Sequence, residues 1–286
     1  MGKTILVAAR KGGVGKTTTT VSLGIGLARE GNRVLLIDAD SQHSLTASLG
    51  VREPEKCKVT LSTVISEIIG ECGIDTTAGI IRHTEGVDFL PSNNTLAGIE
   101  LVLAPLIGRE SILRQYIEKM KPLYDYIIID TAPTLDLLTI NALAAADSVI
   151  IPICPKFLDA LGLEQLLKAV AQIRRQINPL LAVECILLTM ADRRANHSRD
   201  IVSLVENACR GTYTAQEIAE ECGMYSLMGT PMRMSITRPS SKRRSVSMRS
   251  GAASAKRSVV PGRKRRTACT SVKSWTRNAA SCWWGV

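Results

Sequence analysis

Aromatic side chains are scarce. Two Phe, three Trp and five Tyr make up only 3% of 286 residues, and all three Trp lie after residue 274. Hydrophobic residues still reach 45%, so the chain can bury a full core, but Leu, Ile, Val and Ala must fill it. Eight Cys are present without one Cys-x-x-Cys pair, which removes the usual redox and zinc-ribbon spacings. Cys154 and Cys185 sit in apolar, strand-like runs and read as buried thiols of a reducing cytosol. No run approaches the ~18 apolar residues of a membrane span. The first residues lead straight into a glycine-rich stretch and show no secretory leader.

Acidic residues are missing from one region only. Residues 228–286 hold 14 Lys and Arg and no Asp or Glu, so the preceding 227 residues carry 22 basic against 26 acidic side chains. The overall charge of +10 therefore belongs to the tail, and the remainder is mildly acidic. The expected organisation is a globular unit over 1–227 and a basic, disordered tail over 228–286. That tail shows no helical or strand period and too little apolar content to fold alone. Three readings compete for it: a nucleic-acid-binding arm, a membrane anchor using Trp275, Trp283 and Trp284, or an off-frame translation of the gene's end. The abrupt change of composition favours the third.

Around residues 10–20 the chain reads Arg-Lys-Gly-Gly-Val-Gly-Lys-Thr-Thr-Thr-Thr. The apolar run Thr4–Ala9 before it has strand length, and Val21–Arg29 after it has helical spacing that stops at Gly31. A glycine-rich turn thus joins a buried strand to a helix. Glycines let the backbone approach an anion without an intervening Cβ, and the helix N-terminus points N–H groups at negative charge. Lys16 adds a point charge for the β- and γ-phosphates, and the Thr17 hydroxyl can ligate Mg²⁺. This is a phosphate-binding loop for a nucleoside triphosphate.

Further strands alternate with helices. Arg33–Asp40 is a buried run ending in Asp38 and Asp40, which belong beside the loop because parallel sheets bind ligands at strand carboxyl ends. Tyr124–Pro133 contains Ile127-Ile128-Ile129-Asp130, an apolar strand ending in an acid. Helices are expected over Leu61–Ile69, from about Thr95, over Ile112–Met120, ending at Ala146, over Gly162–Ile177 and over His197–Cys209. Strands are expected over Val87–Pro91, Ser148–Ile153 and Leu181–Met190. On Gly162–Ile177 the residues Leu163, Leu166, Leu167, Val170 and Ile173 share one face. The alternation implies an α/β fold: a P-loop NTPase with a mostly parallel twisted sheet and helices on both faces.

The strict Walker A pattern fails, because Arg10 stands where its first Gly belongs. What stands instead, Lys11-Gly12-Gly13-Val14-Gly15-Lys16-Thr17-Thr18, resembles the deviant Walker A motif of the ParA/Soj-type partition ATPases in the MinD/ParA superfamily. Asp38-Ala39-Asp40-Ser41-Gln42 resembles the family's Asp-x-Asp-Pro-Gln, with Ser41 loosening the turn in place of proline. Asp130-Thr131-Ala132-Pro133 meets its Asp-x-x-Pro. The resemblance runs from about residue 3 to about residue 209. It implies a cytoplasmic, nucleoid-associated, Mg²⁺-dependent ATPase that partitions plasmid, chromosome or mobile-element DNA. The implied partners are a second copy of the chain, nonspecific DNA and a ParB-type centromere-binding protein, without stable membrane insertion.

By the same resemblance, Lys11, Gly12, Gly13, Val14, Gly15, Lys16, Thr17 and Thr18 bind ATP, with Lys11 reaching the partner subunit's nucleotide. Thr17 and Asp130 hold Mg²⁺, and Asp40 places the attacking water. Two alternatives stay open: a MinD-like membrane-cycling ATPase, and a nucleotide-switched regulatory protein with little turnover.

Overall fold

The computed structural model describes residues 2–73, 75–154 and 157–190, together with the strands Ser226–Thr230 and Arg233–Thr237. Its central strands are near-continuous apolar runs: β1 (Lys3–Val7), β2 (Val34–Ala39), β5 (Tyr126–Thr131), β6 (Ser148–Ile153) and β7 (Ala182–Leu188). Strands of that composition must be covered on both faces, and every residue of β2 and β6 is buried. Two short strands, β3 (Ile81–Arg82) and β4 (Asp88–Leu90), complete a seven-stranded sheet in the order β3-β4-β2-β5-β1-β6-β7. All neighbours run parallel except β3 with β4.

Successive side chains on a strand point to opposite faces, and the core divides accordingly. Leu6, Leu35, Ile37, Ile127, Ile129, Val149 and Ile151 face one layer. That layer is built by α3 (Leu61–Ile69), α4 (Leu96–Leu103), α5 (Ile112–Met120), α6 (Leu137–Ala145) and α7 (Phe157–Gln176). Ile5, Val7, Val34, Leu36, Ile128 and Ile150 face the other, against α1 (Lys16–Arg29) and α2 (Ser44–Ser48). The five apolar residues expected on one face of α7 are all buried in the first layer. Cys154 and Cys185 are buried, and burial pushes the Cys185 thiol far up.

Buried amides tie the helix ends together. Asn141 Oδ1 on α6 accepts from the Leu113 N–H at the start of α5 (3.1 Å). Asn178 Nδ2 donates to the carbonyls of Leu143, Ala144 and Ala146 at the end of α6. Each satisfies helix-terminal groups that would otherwise be buried without a partner.

α3, α5 and β6 have the expected bounds, and several other elements differ. α1 begins at Lys16 and takes in Thr17–Thr20 ahead of the apolar helical spacing of Val21–Arg29. There Thr19 Oγ1 bonds Gly15 O (2.7 Å) and Thr20 Oγ1 bonds Lys16 O (3.1 Å). α7 begins at Phe157, five residues before Gly162. α2 and β3 were not expected, being too short to show a period.

No strand was expected after residue 227, yet Ser226–Thr230 (β8) pairs antiparallel with Arg233–Thr237 (β9) as a separate two-stranded sheet whose β8 lies close to β7. Main-chain hydrogen bonding across a two-residue connection makes such a pair without an apolar period. The helix expected over 197–209 and the rest of the basic tail lie outside the described residues. Among the described residues, no helix is long and apolar enough to cross a membrane.

Candidate nucleotide site

The loop at the carboxyl end of β1 turns into α1 through two glycines in the left-handed region, Gly13 (φ 72°) and Gly15 (φ 85°). A side chain at either would be strained. A Cβ added at Gly12 or Gly13 would meet nothing within 4 Å, so the loop is open beside these two residues. Val14 points the other way and is buried with Ala9 and Cys154. Thr18 is exposed on the first turn of α1, and Lys11 is half-buried at the loop's outer edge.

β5 delivers Asp130 to the foot of the loop, in register with Val7 of β1 and Asp38 of β2. Thr17 Oγ1 donates to Asp130 Oδ2 (2.6 Å), and Thr20 Oγ1 lies 3.4 Å from Oδ1. Asp130 is 1% exposed, and burial pushes its carboxyl up to about 7. The Thr17 hydrogen bond and the Lys16 ammonium pull it down, while Asp38 and Asp40 push it further up. Burial likewise lowers the Lys16 ammonium, against the attraction of Asp130 and Asp40. Among the described residues, Lys16 Nζ makes a single long contact, 3.4 Å, to the Lys11 carbonyl. Lys11, Lys16, Thr17, Asp40 and Asp130 are thus brought to one end of the sheet.

Asp38 is fully buried and accepts from the Thr46 N–H (2.8 Å), the Thr46 hydroxyl (2.7 Å) and the Asp40 N–H (3.2 Å). Thr46 Oγ1 in turn accepts from the Ser92 N–H, joining the ends of β2 and β4. The turn after Asp40 is closed, not loosened, despite Ser41. The His43 N–H donates to Asp40 O (2.9 Å), and the Gln42 N–H donates to Asp40 Oδ1 (2.9 Å). An aspartate at the first position of a turn closes it through its own side chain, so proline is dispensable.

These residues fit a phosphate chain with its divalent ion. The loop leaves room for an anion, Lys16 has no close partner for its ammonium among the described residues, and the buried Asp130 is pushed toward protonation in a way that a cation at Thr17 would reverse. Sequence reasoning missed Thr20, the last of four successive threonines, and Thr46 and Thr189, which stand outside any motif spacing. The family resemblance implies that Ala191–Arg194 belong near the adenine, and those residues lie outside the described ones.

Fold and site together define a P-loop nucleotide-binding protein of the deviant Walker A class. Residues 2–183 match the family described as an AAA domain. The sporulation initiation inhibitor protein Soj of Bacillus subtilis is 42% identical over 73% of this chain and 81% of its own length. The chromosome partitioning protein ParA of Caulobacter vibrioides is 36% identical over 70% of this chain and 73% of its own. The solved structure of cobyrinic acid a,c-diamide synthase from Mycobacterium smegmatis with bound ADP and magnesium is 39% identical, with a TM-score of 0.67 over 74% of this chain and 83% of that one. The chain belongs to the ParA/Soj family of partition ATPases.

Proposed function

We propose that this chain binds and hydrolyses ATP with Mg²⁺ and drives DNA partitioning through an ATP-dependent homodimer, acting in the cytoplasm on the nucleoid with a ParB-type partner. The observation that carries the reading is the Lys16–Thr17–Asp130 cluster, with Lys16 and Asp130 buried, beside an open glycine loop. The Soj and ParA relatives support the partition role, and the mycobacterial neighbour with ADP and magnesium supports the ligand.

In this reading the loop amides from Gly12 to Lys16 and the Lys16 ammonium hold the β- and γ-phosphates. Thr17 and Asp130 would hold Mg²⁺, with Asp130 orienting the Thr17 hydroxyl that donates to it. Mg²⁺, when bound, supplies charge neutralisation across the phosphate oxygens. Asp40 holds the attacking water and takes up its proton. Lys11 crosses to the partner subunit's nucleotide and screens the charge that develops there.

The test is Mg²⁺-ATP binding, turnover and oligomeric state, each measured alone, with duplex DNA and with anionic lipid vesicles. Wild type should bind ATP, dimerise with it and turn over faster on DNA. Lys16→Ala should lose ATP binding, and Lys11→Ala should bind ATP but stay monomeric. Asp40→Ala should accumulate as an ATP-bound dimer with turnover slowed by ~10²–10⁴-fold, the usual cost of losing a general base. Wild type that binds no ATP would overturn the reading. Stimulation by vesicles but not DNA would replace partitioning with membrane cycling.

A further inference from the structure

Thr189 follows the last residue of β7, far from the loop in sequence. Its hydroxyl lies 2.8 Å from the Val14 carbonyl and 3.2 Å from the Ile153 carbonyl. One hydroxyl has one proton, and the Ile153 oxygen already accepts the Thr189 N–H at 2.8 Å. The proton therefore belongs to Val14 O. The Cys154 thiol, 3.6 Å from the same hydroxyl, can donate to its free lone pair. The Thr189 methyl group lies on the side of Gly15 where a Cβ would be, and an added Cβ would lie 3.7 Å from it.

We infer that Thr189 is a positioning residue for the phosphate loop, acting through the Val14–Gly15 peptide. A trans peptide is planar, with its C=O and N–H directed oppositely. Fixing the Val14 carbonyl toward Thr189 therefore aims the Gly15 N–H away from it, toward the side on which the loop is open. Gly15 is the residue whose left-handed backbone starts α1, so one hydrogen bond sets both the peptide plane and the helix entry. The hydroxyl does this from the end of a different strand, which makes β7 part of the loop's scaffold. The inference rests on the nucleotide reading for its consequence, but not for its geometry.

The test compares Thr189→Val, which keeps the shape without the hydroxyl, with Thr189→Ser, which keeps the hydroxyl. Amide exchange over residues 12–16 is followed in the nucleotide-free proteins, and Mg²⁺-ATP affinity is measured beside it. Thr189→Val should exchange faster in the loop and bind ATP about three- to tenfold more weakly, as for the loss of one hydrogen bond. Thr189→Ser should match wild type in both. If the valine variant does not fold, Thr189→Ala in the same exchange measurement takes its place. Unchanged loop exchange in the hydroxyl-free variant, or a serine variant no better than valine, would overturn the inference. Failure of the wild type to bind ATP would instead overturn the nucleotide reading and leave the exchange comparison decisive.

Discussion

Asp38 accepts three hydrogen bonds, yet burial still lifts its carboxyl from 3.8 to about 6. Between those two values the folded protein keeps a proton that the unfolded chain has released. Stability then falls as pH rises from about 4 to about 6 and is flat above. A shift of this size corresponds to roughly 3 kcal/mol. Asp130, lifted to about 7, adds the same sign over a slightly wider window. We expect the melting temperature of the nucleotide-free protein to fall across that range, and Asp38→Asn to flatten the fall. Asparagine leaves one of the three donors without an acceptor, so the variant is also less stable overall. The slope, not the absolute value, is the readout, and equal slopes would refute the assignment. At this scale, Lys16, Thr17 and Asp130 could be found because their chemistry depends on spacing within a motif. Thr46 and Thr189 could not, because a threonine that bonds a carboxylate or a distant carbonyl leaves no periodic mark.

At the scale of elements, α1 fixes the site because its N-terminus is the site's floor. Its seat on the sheet depends on Gly24, where an added Cβ would lie 2.6 Å from Leu36 Cδ2. Leu36 is fully buried, so its side chain cannot swing clear without disturbing its neighbours. Gly24→Ala gains up to about 1 kcal/mol of helix propensity but suffers overpacking of about 1–3 kcal/mol. A net loss of stability is expected in chemical denaturation, with weaker ATP binding as the helix tilts. A stabilised variant with unchanged affinity would contradict this. The long buried runs of β1, β2, β5, β6 and β7 were readable as strands because both faces of each are covered. α2, at five residues, and β3, at two, were not, since elements that short complete no period.

The molecule as a whole divides by charge. An acidic remainder carries the site, and 13 Lys and Arg lie beyond Thr237, where β9 ends. If that stretch is a DNA-binding arm, its side chains release counterions and affinity falls steeply with salt. The log–log slope is roughly −0.9 per phosphate neutralised. Removing residues 238–286 leaves both strands of the hairpin in place and should flatten that slope. An unchanged slope would favour the off-frame reading, in which another frame of the gene encodes a strand ending in Ile-Pro and then acidic and apolar helices.

Consider finally the order in which the sheet can be assembled. β1 is the first strand made, but its neighbours are β5 and β6, which end at Thr131 and Ile153. At ~5–20 residues per second, roughly ten seconds of synthesis separate β1 from its first partner. Through that time a strand with the apolar run Ile5-Leu6-Val7, and the glycine loop that follows it, wait without a sheet. Long-range parallel pairing is also slow once it begins. The placement of β1 inside the sheet, between two strands made much later, therefore makes the nascent chain a client for chaperones. Any chain released before residue 131 would expose its own first strand as an aggregation seed.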